Sequence, residues 1–365
     1  MRQTLQRRLL DTRSKLLESV RSAIFRTTDL AKFPAGFCLC LKAHLNKLYH
    51  LGIKQNVSHT SLCRANENRD WRIFADFGQN LISIVQPLYA AAKISDVHAE
   101  NKVFALDSTT ITLSIKLFTW AFGKYSRGAV KAHTLLDLRG SVPTFVHISH
   151  GKYHDSNVLD IMPFEPSAVY VMDKAYVDFE ALFAMDQAEA FFVTRAKQNM
   201  NFEVVETSYN IDPATGLVSD QTIALKGVKS ARLYPKPLRM VAYHDYEKDM
   251  TLVFITNNFE LSALDVANIY RNRWQIEVFF KWIKQNLTIK RLWGHSENAV
   301  QTHIWVALST YLIVAYIKAQ LRVELSIYEI MQILGISVFD KTPIEELLTE
   351  NISNQNFKEQ PNLFT

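Results

Sequence analysis

The chain has 365 residues, enough for a large core and for two or three domains, or for one domain with a big insertion. Its 48% hydrophobic and 21% charged residues exclude bulk disorder, and three cysteines, Cys38, Cys40 and Cys63, are too few for a disulfide framework or a four-ligand zinc site. A net charge of +5 hints at an anionic partner, but residues 1–40 alone hold eight basic against three acidic side chains, which is the whole excess.

The first residues, MRQTLQRRLLDTRSK, lack a sustained apolar run, so no secretory signal is expected and a reducing cytoplasm is the default. Residues 1–40 show patches of helical periodicity that run into KFPAGFCLC, which fits nothing around it. From Leu41 the pattern is helical and amphipathic, with an N-cap near Ser58 and a long helix from about Asp70 to Ala92. After Lys102 the period becomes that of strands: VFALDSTTITL, AVKAHTLLDLRG and PTFVHISHG. A short helix near Asp155 to Ile161, the strand AVYVMD, a helix near Asp178 to Gln187 and the strand AFFVTRA follow. Three antiparallel strands, helix, strand, helix and strand is the order of a ribonuclease H-like α/β core.

Four further strand runs, FEVVETSY, QTIALKG, LRMVAYHD and TLVFIT, read as an all-β insertion over 199–258. One helix is then expected to start at Ser262, with Asp265 three residues on, and to run past Lys284. The apolar run from Ile304 to Ile317 is shorter than the roughly 20 residues that cross a bilayer, so it reads as a buried core helix and not as a membrane span. Another helix is expected near Ile327 to Leu334.

On the helix after Ser262, at about 100° per residue, Tyr270, Arg273, Glu277 and Lys284 fall within about 60° of one another. Trp274, Ile276, Val278, Phe279, Phe280, Trp282 and Ile283 fill most of the remaining circumference, which predicts a helix buried nearly all round. Taken alone, such a polar stripe reads as a structural network in which Arg273 and Lys284 pair with acids. Asp107 in VFALDSTT and Asp173 in VYVMDKAY change the weighing, because each puts a carboxylate at the end of an apolar strand, where it needs a partner or a cation. Neighbouring strands would bring both to one sheet edge, and Glu277 on a helix across that edge would complete a set of oxygen donors suited to Mg2+ or Mn2+.

Other groupings are weaker. His147, His150, His154 and Asp155 are close in sequence but lack a Cys or a fixed helical spacing, so they read as structural before they read as a zinc site. Lys131 and His133 alternate on one face of the second strand and would touch DNA if that face borders the acids. No P-loop, dinucleotide glycine pattern or Gly-x-Ser-x-Gly elbow is present, and no nucleotide cofactor is expected.

The motif Tyr270-x2-Arg273-x3-Glu277-x6-Lys284, together with Asp107-Ser108-Thr109, Asp173-Lys174-Ala175-Tyr176, Arg291-Leu292-Trp293-Gly294 and Ser296-Glu297-Asn298-Ala299-Val300, resembles the DDE transposases of bacterial insertion sequences. The resemblance covers roughly residues 41–335. Where its commonest form has Asp-Arg-Gly-Tyr, Lys174 and Ala175 stand here, and Ala175 is expected to restrict the turn.

The resemblance implies that Asp107, Asp173 and Glu277 hold two Mg2+ ions, with Mn2+ as an alternative, for strand cleavage and strand transfer. It also implies that Tyr270, Arg273, Lys284 and Lys174 contact DNA; Trp274 and Trp282 read first as core packing, and as stacking on an extruded base where cleavage runs through a hairpin, as in some relatives. Partners would be the transposon ends and target DNA, with a homodimer in a paired-end complex and no membrane, and the location cytoplasmic and nucleoid-associated. The expected organisation is an atypical or truncated amino end over 1–40, a helical remnant of a DNA-binding region over 41–100, a catalytic core over 101–198 and 259–321 around the insertion, and a helical segment over 322–365. A divergent but working DNA-binding arm is the alternative for the amino end. The alternatives for the whole are a transposase-derived DNA-binding protein and a ribonuclease H-like nuclease without strand transfer.

Overall fold

The computed structural model describes residues 34–51, 57–98, 100–114, 116, 118–121, 128–209, 211–286, 292, 294–337 and 342–348. The readings of residues 1–33, of Arg291 and Trp293 and of residues 349–365 lie outside these. The chain divides into two compact units, Tyr89–Phe280 and the remainder, Met1–Leu88 with Lys281–Thr365.

In chain order the helices are α1 (Pro34–Ala43), α2 (His59–Asn68), α3 (Arg72–Val85), α4 (Phe179–Gln187), α5 (Val228–Leu233), α6 (Ala263–Asn272), α7 (Trp274–Asn286), α8 (Glu297–Leu321) and α9 (Ile327–Ile336). The strands are β1 (Val103–Leu113), β2 (Gly128–Asp137), β3 (Val142–His150), β4 (Val169–Met172), β5 (Phe191–Arg195), β6 (Phe202–Ser208), β7 (Leu217–Leu225), β8 (Leu238–Asp245) and β9 (Met250–Thr256). The fold is mixed α/β.

Local chemistry explains most boundaries. Ser58, Ser262, Ser296 and Ser326 each accept a backbone N–H from the first turn of the helix they precede, and Asp178 does the same for α4. The KFPAGFCLC stretch contributes to α1, with Cys38 and Leu41 buried. The helix expected from Asp70 to Ala92 ends earlier: α3 stops at Val85 and tightens into a 3-10 turn over Gln86–Tyr89, where Pro87 cannot donate to the ladder.

The nine strands among the described residues form one sheet in the order β3-β2-β1-β4-β5-β9-β8-β7-β6. β1, β2 and β3 pair antiparallel, while β1, β4 and β5 pair parallel. The β-rich stretch therefore continues the same sheet, through antiparallel pairing of β9 with β5, and carries the short α5 that the strand pattern did not indicate. Both faces of the parallel strands are covered, so they read as continuous apolar runs. Phe104, Leu106, Tyr170, Met172 and Phe192 pack with Leu182 and Met185 of α4 on one face, and Val103, Ala105, Val169 and Val171 are fully buried on the other. On β8, Arg239 makes a two-pronged pair with Asp220 of β7 at 2.9 and 2.8 Å and also donates to the Leu261 carbonyl, just before the Ser262 cap. This β-rich stretch is thereby tied to the start of α6.

In the other unit α8 is the central element, packed by α2, α3 and α9. It is long and apolar enough to cross a membrane, but two thirds of its apolar window is buried in the protein. Gly78 lets α3 approach it, since a Cβ there would lie 2.8 Å from the Trp305 ring. Asn298, at the start of α8, donates to the carbonyls of Asn66, Glu67 and Arg69 at the end of α2 and accepts from the Trp71 amide. The Ser296-Glu297-Asn298 run is thus a clasp between helices.

Replacing Arg239 with Ala leaves Asp220 as an uncompensated buried charge and is expected to cost about 3–5 kcal/mol in urea unfolding; a loss under 1 kcal/mol contradicts the anchoring role given to this pair.

Candidate active site

Asp107 and Asp173 become neighbours through strand pairing. β1 and β4 run parallel with Leu106 opposite Met172, so the next residue on each strand stands at the same edge. Asp173 lies where β4 ends and caps a 3-10 turn over Lys174–Tyr176. Ala175 is not among the described residues with positive φ, so this turn needs no glycine and the expected restriction is absent.

The helical arm that meets this edge differs from the single buried helix expected. α6 ends at Asn272 and α7 begins at Trp274, with Arg273 at the junction. Here the bonding tightens, the Arg273 amide donating to Tyr270 O and the Ile276 amide to Arg273 O, both at 3.1 Å. The burial is one-sided: Ile276, Phe279, Phe280 and Ile283 are inside, whereas Trp274 is 55% and Val278 49% exposed. Trp282 packs its ring against Tyr311 at 4.9 Å.

The stripe does reach the acids. The Tyr270 hydroxyl donates to Asp173 Oδ1 at 3.3 Å, and its ring lies against Phe254. Arg273 donates to Asp107 Oδ2 at 3.1 Å and to Glu277 Oε1 at 2.7 Å, with its guanidinium 5.6 Å from the centre of the Tyr270 ring. Burial first, and then the charges of Glu277 and Asp173, raise the Asp107 carboxyl to about 6 against the lowering pull of the Ser108 amide and Arg273. Glu277 is the most open of the contacts, its side chain 57% exposed.

The donor set is all carboxylate, which suits a hard divalent cation, and in direct contact one guanidinium serves two of the three acids, leaving acid in excess. As the side chains stand, no three His, Cys, Asp or Glu groups among the described residues share a metal-sized space. The Arg273 fork lies between Asp107 and Glu277, so the acids fit a hard cation in chemistry and, as placed, not in spacing.

Lys174 is exposed beside Asp173. Lys284 is exposed seven residues beyond Glu277, on the part of α7 that belongs to the other unit. Lys131 and His133 are not on an open surface: Lys131 is 12% exposed and held by Asp155, and the His133 side chain is fully buried. His147 contacts the rings of His133 and Tyr153.

A profile for the transposase DDE domain matches residues 98–313. The chain belongs to the DDE transposase family. A protein of Sinorhizobium fredii named as a transposase is 30% identical over 243 residues, 66% of this chain and 67% of the relative. One of Geobacillus stearothermophilus, named as the transposase for insertion sequence element IS5377, is 31% identical over 226 residues, 60% of this chain and 59% of the relative. A third, from Synechocystis and named for element IS4SA, is 24% identical over 264 residues, 71% of each chain. The chain thus aligns with about three fifths to seven tenths of the length of these relatives.

Two groups of this DDE transposase were missed as parts of the site. Arg195, at the end of β5, lowers the Tyr270 hydroxyl electrostatically, as Arg273 does, against the dominant raising effect of burial. Its position at the end of the next parallel strand was the available signal. Asp155 was considered only for zinc, yet it accepts from Ser108 Oγ at 2.7 Å and Lys131 Nζ at 2.9 Å.

His133 donates to or accepts from Ser149 Oγ at 2.9 Å, and burial pushes its pKa down to about 4. The unfolded chain takes up that proton near pH 6.5, so stability falls as pH drops from about 6.5 to about 4, by up to roughly 3 kcal/mol. In urea titrations across this window, His133→Gln is expected to flatten the slope; an unchanged slope contradicts the burial of a neutral imidazole.

Proposed function

We propose that the chain is a Mg2+-dependent DNA transposase of an insertion sequence, acting through Asp107, Asp173 and Glu277. One observation carries this reading: Tyr270 engages Asp173 while Arg273 engages Asp107 and Glu277, so the arm that bears Glu277 contacts both strand acids. The β3-β2-β1-β4-β5 order, antiparallel on one side and parallel on the other, supports a ribonuclease H-like core over 101–198 and 259–321 with 199–258 as its insertion.

Bound Mg2+, or Mn2+ in its place, would supply activation of the attacking oxygen and neutralisation of the leaving oxygen of a phosphodiester. The three carboxylates would hold the ions. Arg273 offers a two-pronged fork to a backbone phosphate once drawn from the carboxylates, with Lys174 as a point charge beside Asp173 and Lys284 as a separate point charge for DNA. Tyr270 keeps Asp173 oriented through its hydroxyl. Trp274, exposed one residue after Arg273, presents an aromatic face to an unstacked base beside the cut. Residues 41–100 would belong to the DNA-binding region, and the acting form would be a homodimer on paired transposon ends in the cytoplasm.

With Mg2+ and a duplex carrying the element's own end, the full chain is expected to nick one strand, and Glu277→Gln to slow this by at least about 10²–10³-fold, the scale for losing a charge-stabilising group. Full activity in the mutant, or cleavage without a divalent ion, overturns the mechanism; binding without cleavage by the unmodified chain favours a DNA-binding descendant. Trp274→Ala is expected to weaken binding of end DNA with an unpaired base by about 1–3 kcal/mol, read by competition against the fully paired duplex; equal loss on both removes the stacking role.

A further inference from the structure

Behind Asp107 lies a fourth carboxylate that the proposed chemistry does not use. Asp155 opens the 3-10 turn Asp155–Asp160 after β3, and its side chain is 27% exposed. A single oxygen, Oδ1, accepts the Ser108 hydroxyl at 2.7 Å and the Lys131 ammonium at 2.9 Å, with His133 Nδ1 at 3.9 Å. Lys131 also donates to the Tyr153 carbonyl at 3.0 Å, so its charge is committed inward. Burial raises the Asp155 carboxyl, but the Lys131 and Ser108 hydrogen bonds outweigh it and hold the group below the usual carboxylate range.

Ser108 carries this contact to the edge where Asp107 stands. Its hydroxyl is fixed by Asp155 while its amide donates to Asp107 Oδ1 at 2.8 Å. Strand geometry separates the two contacts: Ser108 faces His133 across β1 and β2, and Asp107 faces Thr134, so consecutive side chains leave opposite faces of the sheet. Tyr176 brings in the second acid. Its amide donates to the Asp173 carbonyl, and its ring is 1% exposed. Its buried hydroxyl is kept protonated by burial and then by the charges of Asp107 and Asp155, against the lowering pull of Ser108 and Arg273.

We propose that Asp155, neutralised by Lys131, is a positioning residue that fixes the Asp107 carboxylate through Ser108. Adjacent carboxylates repel, and the fixed Ser108 amide limits how far Asp107 can swing away. Groups that orient metal-binding carboxylates from behind typically alter metal affinity or rate by about 10–100-fold when removed. This assignment gives Lys131 an inward electrostatic role in place of a contact with DNA. It rests on the Asp-Asp-Glu reading above, and the test separates the two.

The test uses the full chain as Asp155→Ala, Asp155→Asn, Ser108→Ala, the Asp155→Ala/Ser108→Ala double variant and Asp107→Asn. Four quantities are read: Mn2+ binding by calorimetry without DNA, Mn2+ concentration for half-maximal nicking, metal-free affinity for end DNA, and the unfolding temperature. Asp155→Ala and Ser108→Ala are each expected to weaken Mn2+ binding and raise half-saturation by roughly 10–100-fold. The double variant should be little worse than either single one, because both break the same chain of contacts. Metal-free DNA affinity should stay within about twofold, which a general loss of structure would not allow. Asp155→Asn keeps an acceptor for Ser108 and should fall between, which carries the test if the Ala variant does not fold.

Unchanged Mn2+ binding in folded Asp155 and Ser108 variants, or full additivity of their effects, overturns the positioning role while a dead Asp107→Asn leaves the triad standing. Full nicking by Asp107→Asn sinks the triad and this inference together.

Discussion

Parallel pairing of β1 with β4 is the constraint on which the site depends. Leu106 and Met172 are partners in the ladder, and Asp107 and Asp173 follow them where the apolar cover of the two strands gives way. Asp107, inside β1 where its pairing with β4 stops, and Asp173, just past the end of β4, repel each other and pay for partial burial, so the edge requires donors and cations. Tyr270 and Arg273 supply them from the helical arm, and Ser108 supplies a backbone amide from the strand itself. The remaining strands serve this edge indirectly. β2 and β3 hold β1 in place, and β6 to β9 extend the sheet until Arg239 reaches the loop from which the arm departs.

The arm also needs a fixed rotation, because a helix turned by one residue would carry Glu277 away by about 100°. A polar ladder provides it. Asn268 and Asn272 donate to the carbonyls of Asp96 and Ser95 at 2.7 and 2.9 Å, Gln275 donates to Asn272 Oδ1 at 3.0 Å, and Ser141 Oγ donates to Gln275 Oε1 at 3.0 Å. Asp96 and Ser141 both adopt left-handed backbone, φ 57 and 53, a conformation that costs energy for residues with a Cβ. The surrounding contacts hold it at the two points where loops grip the arm. The break at Arg273 fits this division of labour: α6 is gripped by loop and sheet, and α7 starts afresh with Glu277 in its first turn.

Much of this was legible from the amino acids because it is set locally. Serine caps at 58 and 262, period-two alternation in the strands, and the apolar runs of β4 and β5 follow from backbone chemistry within a few residues. The Tyr270-Arg273-Glu277 spacing was legible for the same reason, since one narrow stripe survives a single tightened turn. What could not be read depends on partners distant in sequence. Arg273 is a good helix former, and nothing in YRNRWQIE announces a break. Trp274 and Val278 are as apolar as Phe279 and Ile276, and only packing decides which side is covered. Lys131 and His133 share a strand face as expected, but that face turns inward to Asp155, a carboxylate 24 and 22 residues further along the chain.

The central claim is that the Asp107, Asp173 and Glu277 carboxylates share a divalent ion once Arg273 gives way, and the most direct measurement locates that ion on the polypeptide. With Fe2+ bound in place of Mg2+ to the full chain on its end DNA, and ascorbate with peroxide added, the account predicts main-chain cuts near residues 107, 173 and 277 that excess Mg2+ suppresses. Cuts clustered elsewhere, or an unchanged pattern when Asp107 and Glu277 are replaced by Asn and Gln, would contradict it.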